Sequence, residues 1–373
     1  MNNSTVCVVG GGIVGLSTAY FLAKEKIQVL LIERDSFGSH ASGFAYGSLS
    51  PLGEAGIYKD ISSEIELALF GMDLHKQFSH KLPEMTGIDI QHRFRPALDI
   101  AFSDQEVIEC KSQVEWRKQY KGYKSEWLDL AQVKKIVPEI SSEIIGAAYT
   151  EGVADLDPYR LILALVQACE KMGVVIQHGE VTGINTKGDT VTSLNTKTKE
   201  IPCSDLVLAM GPWMKNISSW INIEIPIKPL KGQIIKLNVP NTSIDCSVGW
   251  NGNYACTKLD DLLWLGTTEE DVGFDSNITS DGRDHLISNL LKMFPNLDNA
   301  ELVHQTACLR PLAKDGIAII DKLEQYSNVT LASGAGRKGI LLGPAMGKLT
   351  SELVTDQKTS ININEFSIGR FQK

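Results

Sequence analysis

The sequence is poor in the features that mark metal, membrane or nucleic-acid proteins. It holds seven cysteines, Cys7, Cys110, Cys169, Cys203, Cys246, Cys256 and Cys308, an odd and scattered set with no Cys-x-x-Cys pair. That spacing suggests neither a disulfide framework nor a zinc site. The histidines show no ligand spacing, so no metal is expected. Long apolar runs are missing as well: Leu206-Val207-Leu208-Ala209-Met210 falls far short of the ~18 residues a spanning helix needs. A strand pattern begins almost at once, with no basic segment and apolar stretch before it, so no secretory leader is expected and a reducing cytoplasm is the expected setting. No basic cluster stands out, and 36 Lys and Arg against 45 Asp and Glu leave a net charge of −9. That balance argues against nucleic acid or an anionic membrane as a partner. No Gly-x-Ser-x-Gly elbow, internal repeat or low-complexity segment is present.

What the sequence does have opens it. Val6-Cys7-Val8-Val9 reads as a strand, Gly10-Gly11-Gly12-Ile13-Val14-Gly15 as a G-x-G-x-x-G turn, and a helical run then leads to the strand Val29-Leu30-Leu31-Ile32-Glu33-Arg34. Gly10 allows the tight turn, Gly12 lets the backbone approach a pyrophosphate, and Gly15 lets the helix pack closely on the sheet. The helix N-terminus, with its unpaired N–H groups and dipole, then receives the anion. Glu33 stands 18 residues beyond Gly15, near the spacing of an acid that accepts ribose hydroxyls. Strand, turn, helix, strand and acid together predict a dinucleotide site, equally open to NAD or FAD.

At 373 residues and 43% hydrophobic, the chain is long enough for two domains. Residues 41–51 read as an ordered Gly/Ser-rich loop, and 60–82 as a helix. Residues 89–103 are strand-like, with apolar Phe94, Ala97, Leu98, Ile100 and Phe102, and a helix is expected around 104–120. Asp157 is placed to cap a helix that begins at Pro158 and ends near Gly173, with Leu161, Ile162, Leu165, Cys169 and Met172 on one face. Strands are expected at 174–176, 181–184 and 205–211. Consecutive strand segments over 225–270, such as 233–237 and 262–266, suggest an antiparallel sheet. Strands at 316–321 and 329–334 and a last helix from Gly339 return to the opening style.

Four segments together resemble the glycine oxidase and D-amino-acid oxidase family of flavoenzymes, which includes monomeric sarcosine oxidase. They are the fingerprint ending in Glu33-Arg34, the small-residue loop Ala41–Pro51, the stretch from Lys231-Gly232-Gln233 to Gly266–Asp275, and Leu309–Gly316 joined to Gly334–Pro344. The resemblance spans nearly the whole chain and implies FAD in place of NAD. The implied fold is α/β plus α+β: a discontinuous Rossmann-like FAD-binding domain over 1–85, 150–220 and 305–373, with an antiparallel-sheet substrate domain over 86–149 and 221–304. It assigns FAD contacts to Gly10, Gly12, Ile13, Val14, Gly15, Glu33, Arg34, Ser42, Gly47, Ser48, Leu49, Val181, Gly211, Trp213, Gly334, Gly336, Arg337, Lys338, Gly339 and Ile340.

The resemblance also nominates chemistry. Arg310, in Leu-Arg-Pro, stands where the family places the arginine that grips a substrate carboxylate, a task suited to a planar fork. Arg337 matches glycine oxidases, while Lys338 aligns with a carboxylate-binding lysine of sarcosine oxidases. Either can face the flavin or simply offset charge at its ring. Two or three cations in one pocket also admit a substrate with two anionic groups or a phosphonate. Tyr254 lies in a strand where relatives place a tyrosine near the substrate, with core packing as the plain alternative. Cys308 occupies the place of a cysteine that bonds the flavin in sarcosine oxidases. A buried cysteine acting as a small hydrophobe is the preferred reading, so FAD is expected to be non-covalent. Tyr46 and His40 flank the flavin-side loop and carry little weight.

The implied reaction is oxidation of the C–N bond of a small amino acid or N-methylated amine by hydride transfer to flavin N5, giving an imine that hydrolyses. The implied electron acceptor is O2 or a quinone, and a homo-oligomer is allowed. The competing expectations are an FAD-dependent 2-hydroxy-acid dehydrogenase and an FAD-carrying subunit of a hetero-oligomeric oxidase.

Overall fold

The structure, a computed structural model, describes residues 5–53 and 62–371. Its first sheet runs in the order Ile319–Lys322, Val329–Ser333, Asp205–Leu208, Thr5–Val9, Gln28–Glu33, Val175–His178. All pairs are parallel except the Ile319–Lys322 edge. Parallel strands buried on both faces read as continuous apolar runs, and Cys7, Val8, Val207 and Leu208 are all fully buried.

One face is covered by the helices Ile13–Lys24, Ser62–Thr86, Pro158–Lys171 and Gly339–Val354, which share a core. The other face packs on a small antiparallel sheet of Val181–Lys187, Thr190–Thr196 and Glu200–Pro202 and on the segment 211–221. The expected helix over 60–82 is observed as Ser62–Thr86; residues 60 and 61 lie outside the described residues. Asp157 accepts from the Arg160 N–H at 3.0 Å, Pro158 opens the helix, and Gly173 follows it with a φ of +88°.

The second sheet has eight strands: Glu301–Ala313, Ile227–Asn238, Leu263–Gly266, Asn253–Thr257, Ser247–Trp250, Ala97–Ala101, Gly146–Glu151 and Lys124–Asp129. Pairing is antiparallel except between Ser247–Trp250 and Ala97–Ala101. Side chains alternate across the sheet. Leu98, Ile100, Ile235, Val248 and Leu265 bury one face under Leu130–Ile136 and Ser280–Met293. Ala97, Asp99, Ser247, Tyr254 and Cys256 turn the other way, into a cavity.

Residues 305–313 lie in the strand Glu301–Ala313, which pairs with Ile227–Asn238 along its length. A strand next to a domain junction carries no sign of which sheet it will join, because pairing partners are not local. Phe94 lies in the short strand Arg93–Phe94 with its ring exposed.

Candidate active site

The opening turn has the geometry its glycines demand. Gly10 has a φ of +110°, and a Cβ there would stand 2.3 Å from the Ala209 carbonyl oxygen. A Cβ at Gly15 would stand 1.9 Å from the Gly10 carbonyl oxygen, so Gly15 serves turn–helix packing and does not line the cavity. The helix Ile13–Lys24 starts at Gly12 without a side-chain cap from that residue and without an acid in its first turn. Its Ile13 N–H donates to Ser42 Oγ at 3.0 Å. Glu33, at the end of its strand, accepts from the N–H groups of Gly11 and, at 2.9 Å, of Asp35.

A second helix N-terminus arrives beside the first. A Cβ at Gly343 would be 2.6 Å from Ile13, and one at Gly347 would be 2.4 Å from Ser17. These glycines let the helix Gly339–Val354 run parallel to Ile13–Lys24 in close contact, with both N-termini at one end. This second helix also has no side-chain cap and no acid in its first turn. Two positive helix ends, neither with an acid in its first turn, therefore face the same space.

That space is a cavity of about 500 Å³ between the two large sheets. It is lined by the expected residues Gly10, Gly12, Ile13, Val14, Glu33, Arg34, Ser42, Gly47, Ser48, Val181, Gly211, Trp213, Gly334, Gly336, Arg337, Lys338, Gly339 and Ile340. Leu49 is not among them; its side chain is fully buried in the core. At Gly211 and Gly339 a Cβ would meet nothing within 4 Å, so the cavity wall is bare backbone there. Paired anion-binding helix ends, a carboxylate at the strand end and exposed backbone fit a dinucleotide carrying a large ring system. At the mouth, the Arg34 guanidinium lies 4.2 Å from the Trp213 ring centre. Nearby, Asp35 is held below the usual carboxylate range, chiefly by His40 at 2.8 Å.

Arg310 faces the same cavity and is 8% exposed. Its Nη1 donates to the Thr268 carbonyl at 3.1 Å. The guanidinium crosses Gly232 on the neighbouring strand, where a Cβ would stand 2.1 Å from Nη2. Thr268 is itself fixed: its Oγ1 accepts the Gln233 N–H at 2.9 Å and donates to Glu270 Oε1 at 2.6 Å. The buried Lys231 ammonium holds Glu270 at 2.9 Å.

The other nominated residues divide. Lys338 Nζ pairs with Glu64 at 2.8 Å, and Arg337 pairs with Glu269. Tyr254 lines the cavity from Asn253–Thr257. Cys308 lines it too, opposite Gly232 in the sheet. Burial pushes its thiol up, against the pull of Arg310, which keeps it protonated and a poor nucleophile. Tyr46 is buried, donates to Cys256 Sγ at 3.1 Å and has its hydroxyl pushed well up by burial.

Comparison with known proteins decides the family. Residues 5–353 match the profile described as FAD dependent oxidoreductase. The chain belongs to that family. Similar relatives include a glycine oxidase of Geobacillus kaustophilus, 27% identical over 98% of this chain and 96% of the relative. A glycine oxidase of Pseudomonas putida is 27% identical over 96% of each. The crystal structure of glycine oxidase from Geobacillus kaustophilus superimposes with a TM-score of 0.92 at 25% identity, covering 98% of both chains. The protein is an FAD-dependent oxidoreductase with the doubly layered fold of that family.

This FAD-dependent oxidoreductase has cavity residues that the sequence reading missed. Arg95, Asp99, Arg117 and Asp155 line the cavity, and Gly232 makes room for Arg310. The Lys-Gly-Gln triplet signalled Gly232, since a glycine in a strand marks close approach. The others carry no local signal, because their meeting depends on strand order.

Proposed function

We propose that the protein oxidises the C–N bond of a small amino acid or N-methylated amino acid. Arg310 carries the reading: a buried guanidinium, seated over Gly232 and aimed into the cavity that the two helix ends share. The residues expected to hold FAD are those of the two helix ends, Glu33, Ser42, and the bare backbone at Gly211 and Gly339; FAD supplies the hydride acceptor when bound.

Arg310 takes the substrate carboxylate and fixes its orientation, with Thr268 and Glu270 holding the guanidinium in place. The α-carbon loses a hydride, the amine nitrogen lends its lone pair to form C=N, and its N–H proton leaves to solvent. Water then adds to the imine carbon, releasing ammonia or methylamine and leaving the carbonyl acid. O2 or a quinone takes up the electrons. Tyr254 bounds the substrate space. Arg337 and Lys338, already paired with Glu269 and Glu64, contribute positive potential.

The sheet order supports two units: a cofactor unit over 1–85, 150–220 and the chain beyond residue 313, and a substrate unit over 86–149 and 221–313. Seven free cysteines support a reducing compartment, the cytoplasm, as the working site. No helix among the described residues is long and apolar enough to cross a membrane.

Arg310→Ala tests the reading. Losing a charge-assisted bidentate contact of roughly 2–3 kcal/mol should raise KM for amino-acid substrates about 30- to 150-fold, with flavin content little changed. An unchanged KM removes Arg310 from the site.

A further inference from the structure

At the end of the cavity away from Arg310, the eight-stranded sheet presents a patch of small residues between two buried arginines. Ala97 is the centre, with Ser247 beside it on one strand and Thr150 on the other. Arg117, at the end of the helix Asp104–Arg117, donates through Nη1 to Asp99 Oδ2 at 2.9 Å and to Thr150 Oγ1 at 3.0 Å. Arg95, on the other side of Ala97, lies 3.0 Å through Nε from Asp155 Oδ1 and donates through Nη1 to the Thr257 carbonyl at 3.0 Å. The two arginines are 6% and 2% exposed for Arg95 and Arg117. Among the described residues, the Nε of each has no aligned hydrogen-bond acceptor.

The local charge does not balance. Asp155 is held at once by Arg95, by Lys258 at 2.8 Å and by Arg93 at 3.8 Å, while Asp99 answers Arg117 alone. Three buried cations, Arg95, Lys258 and Arg117, with the half-buried Arg93 beside them, thus face Asp155 and Asp99. The buried cations outnumber these carboxylates by one, and surplus buried positive charge is costly unless an anion joins it. Helix Asp104–Arg117 closes this end on the cavity face, packing Cys110 and Val114 on Ala101 and Ala148, so an arriving anion would be shielded from water.

We propose that Arg95 and Arg117 form a second carboxylate site, and that the preferred substrate is an elongated amino acid with a carboxylate at its far end. This rests on the amino-acid oxidation reading and deepens it. The Arg310 guanidinium reaches the Thr268 carbonyl, just beyond the strand Leu263–Gly266 and three strands from Ala97–Ala101; at ~4.8 Å per strand the two anionic ends stand roughly 14 Å apart. A two-carbon acid such as glycine spans only the first site.

The test uses the holoenzyme and two sets of probes. Anaerobic flavin reduction is followed with glycine, sarcosine and N-(ω-carboxyalkyl)glycines of increasing methylene count. KM is expected to fall about tenfold or more once the chain reaches the second site. Ala97→Leu, which fills the gap, and Arg117→Met should each erase that gain, and Arg117→Lys should restore part of it. Redox-inert α,ω-dicarboxylates, read by perturbation of the flavin spectrum, should tighten with length in the native protein and not in Ala97→Leu. KM and dicarboxylate affinity that ignore chain length, or a gain that survives all three variants, overturn the proposal. Oxidation of monocarboxylate amines without length dependence would sink this site alone. Length-dependent dicarboxylate binding without oxidation of any amine would keep the site and sink the oxidation reading.

Discussion

Gly232 is the residue on which Arg310 depends. Gly232→Ala would push the guanidinium off its seat, and because the clash falls on the tip of a flexible side chain, folding should hardly suffer. KM should rise at least about tenfold, as for a weakened charge-assisted contact, with little change in Tm; a normal KM would show that Arg310 works from elsewhere. Cys308 gives a second prediction. Its thiol is buried and pushed up, so acid precipitation of the holoenzyme should release FAD to the supernatant and leave a colourless pellet. A yellow pellet would mean a covalent link. Arg310 was legible from its motif. The contact with Gly232 was not, because it needs the strand register that pairs Gly232 with Cys308 and Leu230 with Arg310.

Among the elements, the two parallel helices Ile13–Lys24 and Gly339–Val354 do most to build the cavity end. The third helix, Ser62–Thr86, supports the second of them through His75, whose Nε2 lies 2.8 Å from the Ile340 carbonyl. Burial lowers the His75 pKa to about 4 from 6.5. Between those values the unfolded chain binds a proton that the native state refuses, so stability falls as pH falls from 6.5 toward 4. The full effect is about 3 kcal/mol. Urea midpoints should drop from pH 7.5 to 5, and His75→Gln should flatten the trend; equal slopes in both proteins would assign acid lability to other groups. The βαβ unit and the Asp157-capped helix could be read from sequence because caps, glycines and periodicity are local. The strand Glu301–Ala313 and the helix Ser280–Met293 were missed. The helix does carry one local sign, since Thr279 accepts the Gly282 N–H at 3.1 Å, but its apolar face shows only once the sheet beneath it is known.

For the whole molecule, function comes from two sheets that meet across one cavity. The first supplies two positive helix ends and Glu33, suited to an anionic dinucleotide. The second supplies a face of small residues with Arg310 toward one end and Arg95 and Arg117 toward the other. The first half was legible because its chemistry is compressed into a short stretch, residues 6–34, and the family resemblance extended it to FAD. The second half was legible only at Arg310, since its other groups come from distant segments joined by sheet order. On the proposed function, this cavity oxidises amino acids gripped by Arg310. Anaerobic addition of amino acids and, in parallel, 2-hydroxy acids to the holoenzyme tests it most directly, with the flavin absorbance as the readout. Amino or N-methylamino acids should bleach the flavin, far more weakly in Arg310→Ala, and the hydroxy acids should not. Bleaching by hydroxy acids alone, or by neither class, would contradict it.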